Sequence, residues 1–226
     1  MSHDANLMPE ASRTPPGSDT AVPIRSMGRA HVPRIKDHLL ALDPHDRYLR
    51  FGYSANDEQI ERYVDQLHFE RDELFGIFNR KLELIAMAHL AFSVDPTCTS
   101  CAEFGVSVSK AARGRGYGSR LFERAVMHAR NEGVHLMFIH ALSENTAMLK
   151  IARKAGAVIE RDRSESEAHL RLPLADFDSR ATELINEQLA QADYQLKAQA
   201  KHFWDALAML QEIRQGVRTS RDKVRG

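Results

Sequence analysis

Residues 113–119 read Arg-Gly-Arg-Gly-Tyr-Gly-Ser, with glycines at 114, 116 and 118. The run sits between a predicted strand and a predicted helix. In that setting unpaired main-chain N–H groups converge on one point, and the helix dipole adds about half a positive charge there. Glycines let the main chain approach an anion closely. Arg113 and Arg115 add charge-assisted hydrogen bonds. A pyrophosphate is the guest such a loop suits. The nucleotide P-loop is excluded, because it needs Gly-Lys-Ser/Thr and here Gly118 is followed by Ser119-Arg120. The dinucleotide fingerprint G-x-G-x-x-G fails as well: this loop is G-x-G-x-G and follows strands that read as antiparallel. The plain alternative is a structural turn, but three glycines and two arginines exceed what a turn requires.

The remaining chemistry-bearing residues bound the problem. Two cysteines, Cys98 and Cys101, stand at C-x-x-C spacing. With no second pair and no thioredoxin-type strand-to-helix context, they read as two thiols at a strand connection rather than a zinc or redox site. So few cysteines suit a reducing compartment. The chain has 226 residues with 31 basic and 31 acidic side chains. That balance gives no global attraction to nucleic acid or to a membrane surface, and no metal is needed for folding. No stretch approaches a membrane span, and residues 1–21, polar and broken by Pro9, Pro15 and Pro16, read as a disordered leader. A cytoplasmic chain is expected.

The elements that must position the loop follow from periodicity. A short strand is predicted at Val22 to Arg25, and a helix over Ala30 to Leu42 that stops at Asp43-Pro44. A second helix over Asn56 to Leu67 has Asn56 or Ser54 as its cap. Strands are predicted at Leu74 to Phe78, Leu82 to Phe92 and Ala102 to Ser109. After the loop, Leu121, Phe122, Ala125, Val126 and Ala129 make a helical stripe ended by Gly133. A strand at Val134 to Ala141, a helix capped by Ser143 and closed before Gly156, and strands at Val158 to Arg161 and Ala168 to Leu172 complete the order β-α-α-β-β-β-α-β-α-β-β. This is an α/β (α+β) layered domain.

Beyond it, residues 175–226 predict one long helix with a basic end. Leu189, Leu196, Phe203, Leu210 and Val217 fall seven apart. A second row of Ile185, Ala192, Ala206 and Ile213 is interrupted by Gln199. Two readings stand for this helix: packed back on the domain, or a coiled coil that pairs with a second copy or a partner.

The segment Ala102 to Asp162 resembles the GNAT acetyltransferase superfamily. Val106-Ser107-Val108 is followed, after four intervening residues, by Arg113-x-x-Gly116-x-Gly118, like the family's R/Q-x-x-G-x-G/A. Asn145 opens a helix that closes as Lys154-Ala155-Gly156, like N…K-x-G-F. The resemblance covers residues 22–174. It implies a mixed, mostly antiparallel central sheet with helices on both faces, and acetyl-CoA as co-substrate. The strand of Val106, Ser107 and Val108 should splay from its neighbour and pair with the pantetheine amides, with a main-chain N–H polarising the thioester carbonyl. Arg113, Gly114, Arg115, Gly116, Tyr117, Gly118 and Ser119 should wrap the pyrophosphate. Asn145 should bond the pantetheine arm or a catalytic water chain.

Acyl transfer to an amine requires a neutral nitrogen, and a lysine is only about 0.1% neutral at pH 7.4, so a base is called for. Ala102-Glu103-Phe104-Gly105-Val106 resembles the A-E-F-A-V segment of bacterial protein-lysine acetyltransferases, whose glutamate is the base. His140 is similarly placed to a base of some protein N-terminal acetyltransferases. Glu103 is favoured; the plain alternatives are a solvated strand-end carboxylate and a half-buried histidine. Where many family members carry a tyrosine that protonates the thiolate, this chain has Ala152. The acceptor is expected to be a protein lysine or a small amine. The second function class is a non-catalytic acyl-CoA-binding module that dimerises or engages a partner through the C-terminal helix.

Overall fold

The computed structural model describes residues 22–162, 165–173, 180–195 and 197–198; the side chains of His140 and of residues 161–167 are not described. The expected leader and the end of the C-terminal helix therefore lie outside the described residues. The elements are β1 (Arg25–Ser26), a short 3₁₀ turn (Arg29–His31), α1 (Val32–Leu40), α2 (Pro44–Phe51), α3 (Asp57–Asp65), β2 (Glu73–Phe78), β3 (Leu84–Phe92) and β4 (Cys101–Val108). After a second 3₁₀ turn (Lys110–Ala112) come α4 (Tyr117–Asn131), β5 (Leu136–Leu142), α5 (Thr146–Lys154), β6 (Val158–Asp162) and β7 (Glu165–Arg171). The seven strands form one sheet in the order β1-β2-β3-β4-β5-β7-β6. Every neighbouring pair is antiparallel except β4–β5, which is parallel. Among the described residues no helix is long and apolar enough to cross a membrane.

Strand alternation divides the apolar side chains between two layers. Phe75, Ile77, Ala88, Leu90 and Phe104 meet the stripe Leu121, Phe122, Ala125 and Ala129 of α4, joined by Met148 and Leu149 of α5. On the opposite face Leu74, Phe78 and Met87 meet Ile35 and Leu39 of α1 and Ile60 and Val64 of α3. The sheet thus carries helices on both faces, as the resemblance implied.

One helix went unread in the sequence. Asp43-Pro44 does stop α1, but it also starts α2. The Asp43 carboxylate accepts the Asp46 N–H at 2.9 Å, and Pro44 fills the first helical position, where its missing N–H costs nothing. Gly52, at φ 79°, ends this eight-residue helix. The first turn of α5 is capped by Asn145, not Ser143: Asn145 Oδ1 accepts the Met148 N–H at 3.1 Å. Asn56 caps α3 as expected, with Gln59 bonding back to its N–H. Leu82, expected in a strand, lies instead in the β2–β3 turn at φ 62°. Cys98 and Cys101, read as two thiols, are joined in a disulfide.

Residues 180–195 are helical and pack on the domain. Arg124 of α4 reaches Glu183 and Glu187, and His128 Nδ1 and Asn131 Nδ2 bind Glu183 as well. Ala190 is buried, Arg25 stacks 3.8 Å over the Tyr194 ring, and Lys197 Nζ donates to the Phe78 carbonyl. The opposite side of this helix carries Leu184, Ile185 and Leu189, each about 60% exposed.

Candidate active site

The sheet opens where the loop needs it to. Strands β4 and β5 pair through Cys101↔Leu136, Ala102↔Met137 and Glu103↔Phe138, and no further. β4 continues to Val108 and β5 to Leu142. Residues 104–108 therefore leave the β5 side of β4 without a partner strand, which is the splay expected of Val106, Ser107 and Val108. The other edge of β4 stays fully paired to β3, from Phe92↔Ala102 to Ala86↔Val108.

A cleft of about 640 Å³ occupies the gap. Val106, Ser107 and Val108 form one wall, and Gly114, Gly116, Tyr117, Gly118 and Ser119 one end. Asn145, Met148, Lys150, Ile151 and Lys154 of α5 and Leu42, His45, Asp46, Leu49 and Arg50 around α2 close the remaining sides. Its volume is that of a site for a large small-molecule ligand.

Loop geometry gives one end of the cleft the features of an anion site. Gly114 and Gly116 adopt φ 75° and 74°, a left-handed conformation costly to other residues, and Gly116 is the N-cap of the fifteen-residue α4. The first helical bond of α4 is Arg120 N–H to the Gly116 carbonyl. Among the described residues, the N–H groups of Gly114, Arg115, Gly116, Tyr117, Gly118 and Ser119 have no acceptor. No side chain crowds the two glycines: a Cβ at either would meet nothing within 4 Å. Unspent amides at the positive end of a helix dipole fit a diphosphate.

The two arginines divide. Arg113 lines the cleft, but its guanidinium is ion-paired with Asp46, a carboxylate only 8% exposed, and its Nε donates to the Val108 carbonyl. Arg115 is exposed and is not part of the cleft wall. Sequence reasoning missed Lys150 and Lys154, which stand one helical turn apart and add positive charge to the cleft from α5. Their i, i+4 spacing was the signal.

Glu103 is exposed at the fork itself, the last residue of β4 paired to β5. It shares a strand face with Gly105 and Ser107, toward the α1–α3 layer. His140 lies on β5 two residues past the fork, paired with Glu167. Asn145 lines the cleft, with its carbonyl oxygen already spent on the α5 cap. Ala152 is fully buried against α4 and the sheet. Tyr117, half-buried against the same cluster, is the tyrosine of the cleft wall among the described residues.

Two histidines on the α1–α3 side of the sheet, the buried His38 of α1 and the half-buried His89 of β3, were not foreseen. His38 is 4% exposed, and its Nδ1 faces the Leu84 carbonyl at 2.9 Å. Burial lowers its pKa to about 4, so the ring is neutral with the proton on Nδ1. Ser107 Oγ–H then donates to His38 Nε2 at 2.9 Å. His89 is likewise lowered to about 4, by burial and by the nearby Arg50 guanidinium.

Comparison with known proteins agrees with this architecture. The model of the acetyltransferase (GNAT) family matches residues 41–157. The GNAT domain of S. lividans PAT superposes with a TM-score of 0.56 at 20% identity, over 66% of this chain and 89% of that one. An acetyltransferase of the GNAT family from Streptococcus pneumoniae gives 0.54 at 14% identity, over 66% and 98%. An N-acetyltransferase from Staphylococcus aureus Mu50 gives 0.51 at 17%, over 66% and 98%. At these identities the superpositions speak for the fold, while the family match spans more than half of the sequence. With strand fork, glycine-rich helix entrance and seven-stranded sheet in register, the chain belongs to the GNAT acetyltransferase family.

Proposed function

We propose that this protein transfers the acetyl group of acetyl-CoA to a primary amine by direct attack, with Glu103 taking the proton. The observation that carries the reading is the fork after Glu103↔Phe138, beside six unspent amides at the entrance of α4. The loop amides of residues 114–119, with Lys150 and Lys154, hold the diphosphate. The unpaired edge of β4 at Val106 to Val108 holds the pantetheine amides, and a main-chain N–H there stabilises charge developing on the carbonyl oxygen. Acetyl-CoA supplies the activated acyl carbon. As the acceptor nitrogen bonds to that carbon and the C–S bond breaks, Glu103 accepts the ammonium proton and the sulfur leaves as thiolate. A thiolate leaves acceptably without an acid, so Ala152 in place of a tyrosine does not block the reaction. His140 is the alternative base. The setting we infer is the cytoplasm.

Thiol release from acetyl-CoA, followed over a panel of primary amines, tests this. Turnover with at least one amine and a large loss in Glu103→Gln are expected; specific CoA binding without turnover of any amine overturns it. Specific binding should stabilise the fold by about 2.7 kcal/mol at a hundredfold excess over the Kd.

A second reading, a CoA-binding module assembled through its C-terminal helix, is favoured by one observation. The seam predicted from the seven-residue repeat is the side facing solvent: Ile185, Leu189 and Ala192 are exposed, while Glu183, Glu187, Ala190 and Tyr194 face the domain. The same repeat continues in sequence through Phe203, Leu210 and Val217. A second copy brings a matching seam, so we assign it as occupant. Sedimentation should show a dimer that Ile185→Glu with Leu189→Glu dissociates. A monomer at all concentrations removes the assignment.

A further inference from the structure

The cleft holds a guanidinium that no carboxylate of the described residues neutralises. Arg50, on α2, lines the cleft wall. Its Nη2 donates to the Tyr63 hydroxyl at 2.8 Å, its Nε is buried with no partner, and no ion pair involves it. This contrasts with its neighbours on α2: Arg47 is paired with Asp57, and Asp46 with Arg113. Arg50 is half-buried, with its guanidinium 5.1 Å from the Phe51 ring and 5.4 Å from the Tyr63 ring. Partial desolvation of a cation without a paired carboxylate has a cost that an arriving anion offsets.

The chain builds this position rather than tolerating it. The guanidinium lies against β4 where residue 105 has no side chain; a Cβ there would stand 2.7 Å from Arg50 Cζ. Behind it, a chain of hydrogen bonds fixes the phenol that holds it. Tyr63 O–H donates to His89 Nδ1 at 2.8 Å, and His89 Nε2–H donates to Asp72 Oδ2 at 3.2 Å. Asp72 is anchored by Arg71 and by the Phe92 N–H. Every proton in the series points away from Arg50, so the Tyr63 oxygen always turns a lone pair toward the guanidinium. Within the series the negative member, Asp72, is two side chains removed from Arg50 and already shared with Arg71; the Glu103 carboxylate lies close enough to act on Tyr63 but forms no ion pair with Arg50 among the described residues. Arg50 is held in place without a paired carboxylate among the described residues.

Its location says which ligand group it meets. Gly105 lies two residues along β4 from Glu103, on the same face, a separation of about 7 Å. The loop amides that suit a diphosphate lie beyond Val108, at the other end of the strand. Arg50 therefore stands at the end of the cleft nearer Glu103, which lies just outside the cleft wall on the same strand face, so that the proposed proton acceptor and a fixed cation flank one spot.

We infer that Arg50 binds a carboxylate of the acceptor, so that the substrate class is amines carrying an acidic group a few bonds from the reacting nitrogen. This rests on the acetyl-transfer reading above and names its acceptor. The geometry suits a zwitterion: ammonium toward Glu103, carboxylate toward Arg50 in the bidentate arrangement that guanidinium favours.

The test pairs each alkylamine with the same amine bearing a carboxylate one to four carbons from the nitrogen, with lysine peptides with and without an adjacent acidic residue as a further arm. Wild type should favour the carboxylated member of at least one pair by tenfold or more in kcat/KM. Preference in the peptide arm alone identifies a protein segment as the source of the carboxylate; preference in the small amines identifies a free metabolite. Arg50→Gln should bring that ratio to within about twofold, with Arg50→Lys between. Ratios near one in wild type, or a ratio unchanged in Arg50→Gln, overturn the inference. Should Arg50→Gln not fold, calorimetry on wild type loaded with CoA compares the carboxylated amines with their methyl esters. Equal affinities overturn it, and tenfold tighter carboxylate binding supports it. The calorimetry also separates the two claims. Carboxylate-dependent binding without turnover of any amine sinks acetyl transfer but not the Arg50 subsite; turnover without carboxylate preference does the reverse.

Discussion

Asp46 of α2 and Arg113 of the glycine-rich loop meet on the cleft wall as an ion pair, the carboxylate 8% and the guanidinium side chain 44% exposed. One of the two arginines that sequence reasoning offered to a diphosphate is therefore already neutralised, and the other points to solvent. In the proposed site the burden falls on main-chain amides and on Lys150 and Lys154. Asp46→Asn removes the one carboxylate of the cleft wall among the described residues and frees Arg113 for the ligand. Removing a negative charge from an anion site is worth on the order of 1 kcal/mol, or roughly fivefold in Kd. The variant should bind CoA more tightly while its ligand-free form melts lower, because the Arg113 guanidinium loses its partner. Thermal melts with and without CoA read both; weaker CoA binding would place the diphosphate elsewhere.

The loop glycines give a second measurement. A methyl group at Gly116 meets no atom, so its cost comes from φ alone. Gly116→Ala should lose about 1–2 kcal/mol of stability by that mechanism. If the unspent amides are the seat of the diphosphate, the same change should weaken CoA binding at least tenfold, since the amides cannot keep their convergence. Gly118, at negative φ and in ordinary contact range of Ile151, is the control: Gly118→Ala should be milder in both readouts.

How legible this was depended on range. The loop, most of the succession of elements along the chain and the helical stripe of α4 are local patterns, and glycine spacing with apolar periodicity carries them. α2 was lost because Asp43-Pro44 is at once a stop and a start, and a proline reads the same in both roles. The pairings that shape the cleft were out of reach. Asp46 with Arg113, His38 with Ser107 and Tyr63 with His89 join residues 67, 69 and 26 apart, and no periodicity connects them. The C-terminal helix shows both limits. Its apolar repeat was visible, yet the face that packs on the domain is the one bearing Glu183 and Glu187, attached through buried Arg124. A charged row is ordinarily read as the solvent side.

Glu103 carries the next expectation. In Glu103→Gln the acceptor must lose its proton to water, and kcat at neutral pH should fall by about 10²-fold or more. Activity should recover as pH rises toward the amine's own pKa, because the free base then needs no help. CoA binding should be unchanged in the wild-type range, since the side chain is outside the cleft wall. A loss that persists undiminished at pH 10 would assign Glu103 a positioning role and move the base to His140.

The histidines on the α1–α3 side of the sheet predict an acid limit to stability. His38 and His89 have folded pKa values of about 4 against 6.5 when free. Between those values the unfolded chain binds protons that the folded chain refuses, so stability is complete above about pH 6.5 and falls as pH drops toward 4. Each residue contributes roughly 3 kcal/mol across that window. Urea midpoints from pH 7 to pH 4 should show the loss, and His38→Asn, which keeps a donor for the Leu84 carbonyl, should have a shallower slope. An unchanged slope would mean that His38 is already charged in the folded protein.

The attachment of the C-terminal helix fails in a different window. Burial alone would push the Glu183 pKa up, but hydrogen bonds from His128, Asn131 and Arg124 outweigh it and hold the group at about 2. A depressed carboxylate stabilises above its ordinary value of 4.5, and that contribution is lost as pH falls from 4.5 toward 2, below the histidine window. Arg124, 6% exposed, faces both Glu183 and Glu187. Arg124→Ala strands two carboxylates in half-buried positions and should cost about 3–5 kcal/mol, more than Glu183→Gln, which leaves Glu187 to the cation. Hydrogen exchange over residues 180–198 separates loosening of the helix from global unfolding. In Arg124→Ala at pH 7 that segment should lose protection while β2, β3 and α4 keep theirs. If the segment and the sheet lose protection together, the helix is an integral part of the domain's cooperative unit, and the cluster around Arg124 stabilises the whole fold rather than one removable element.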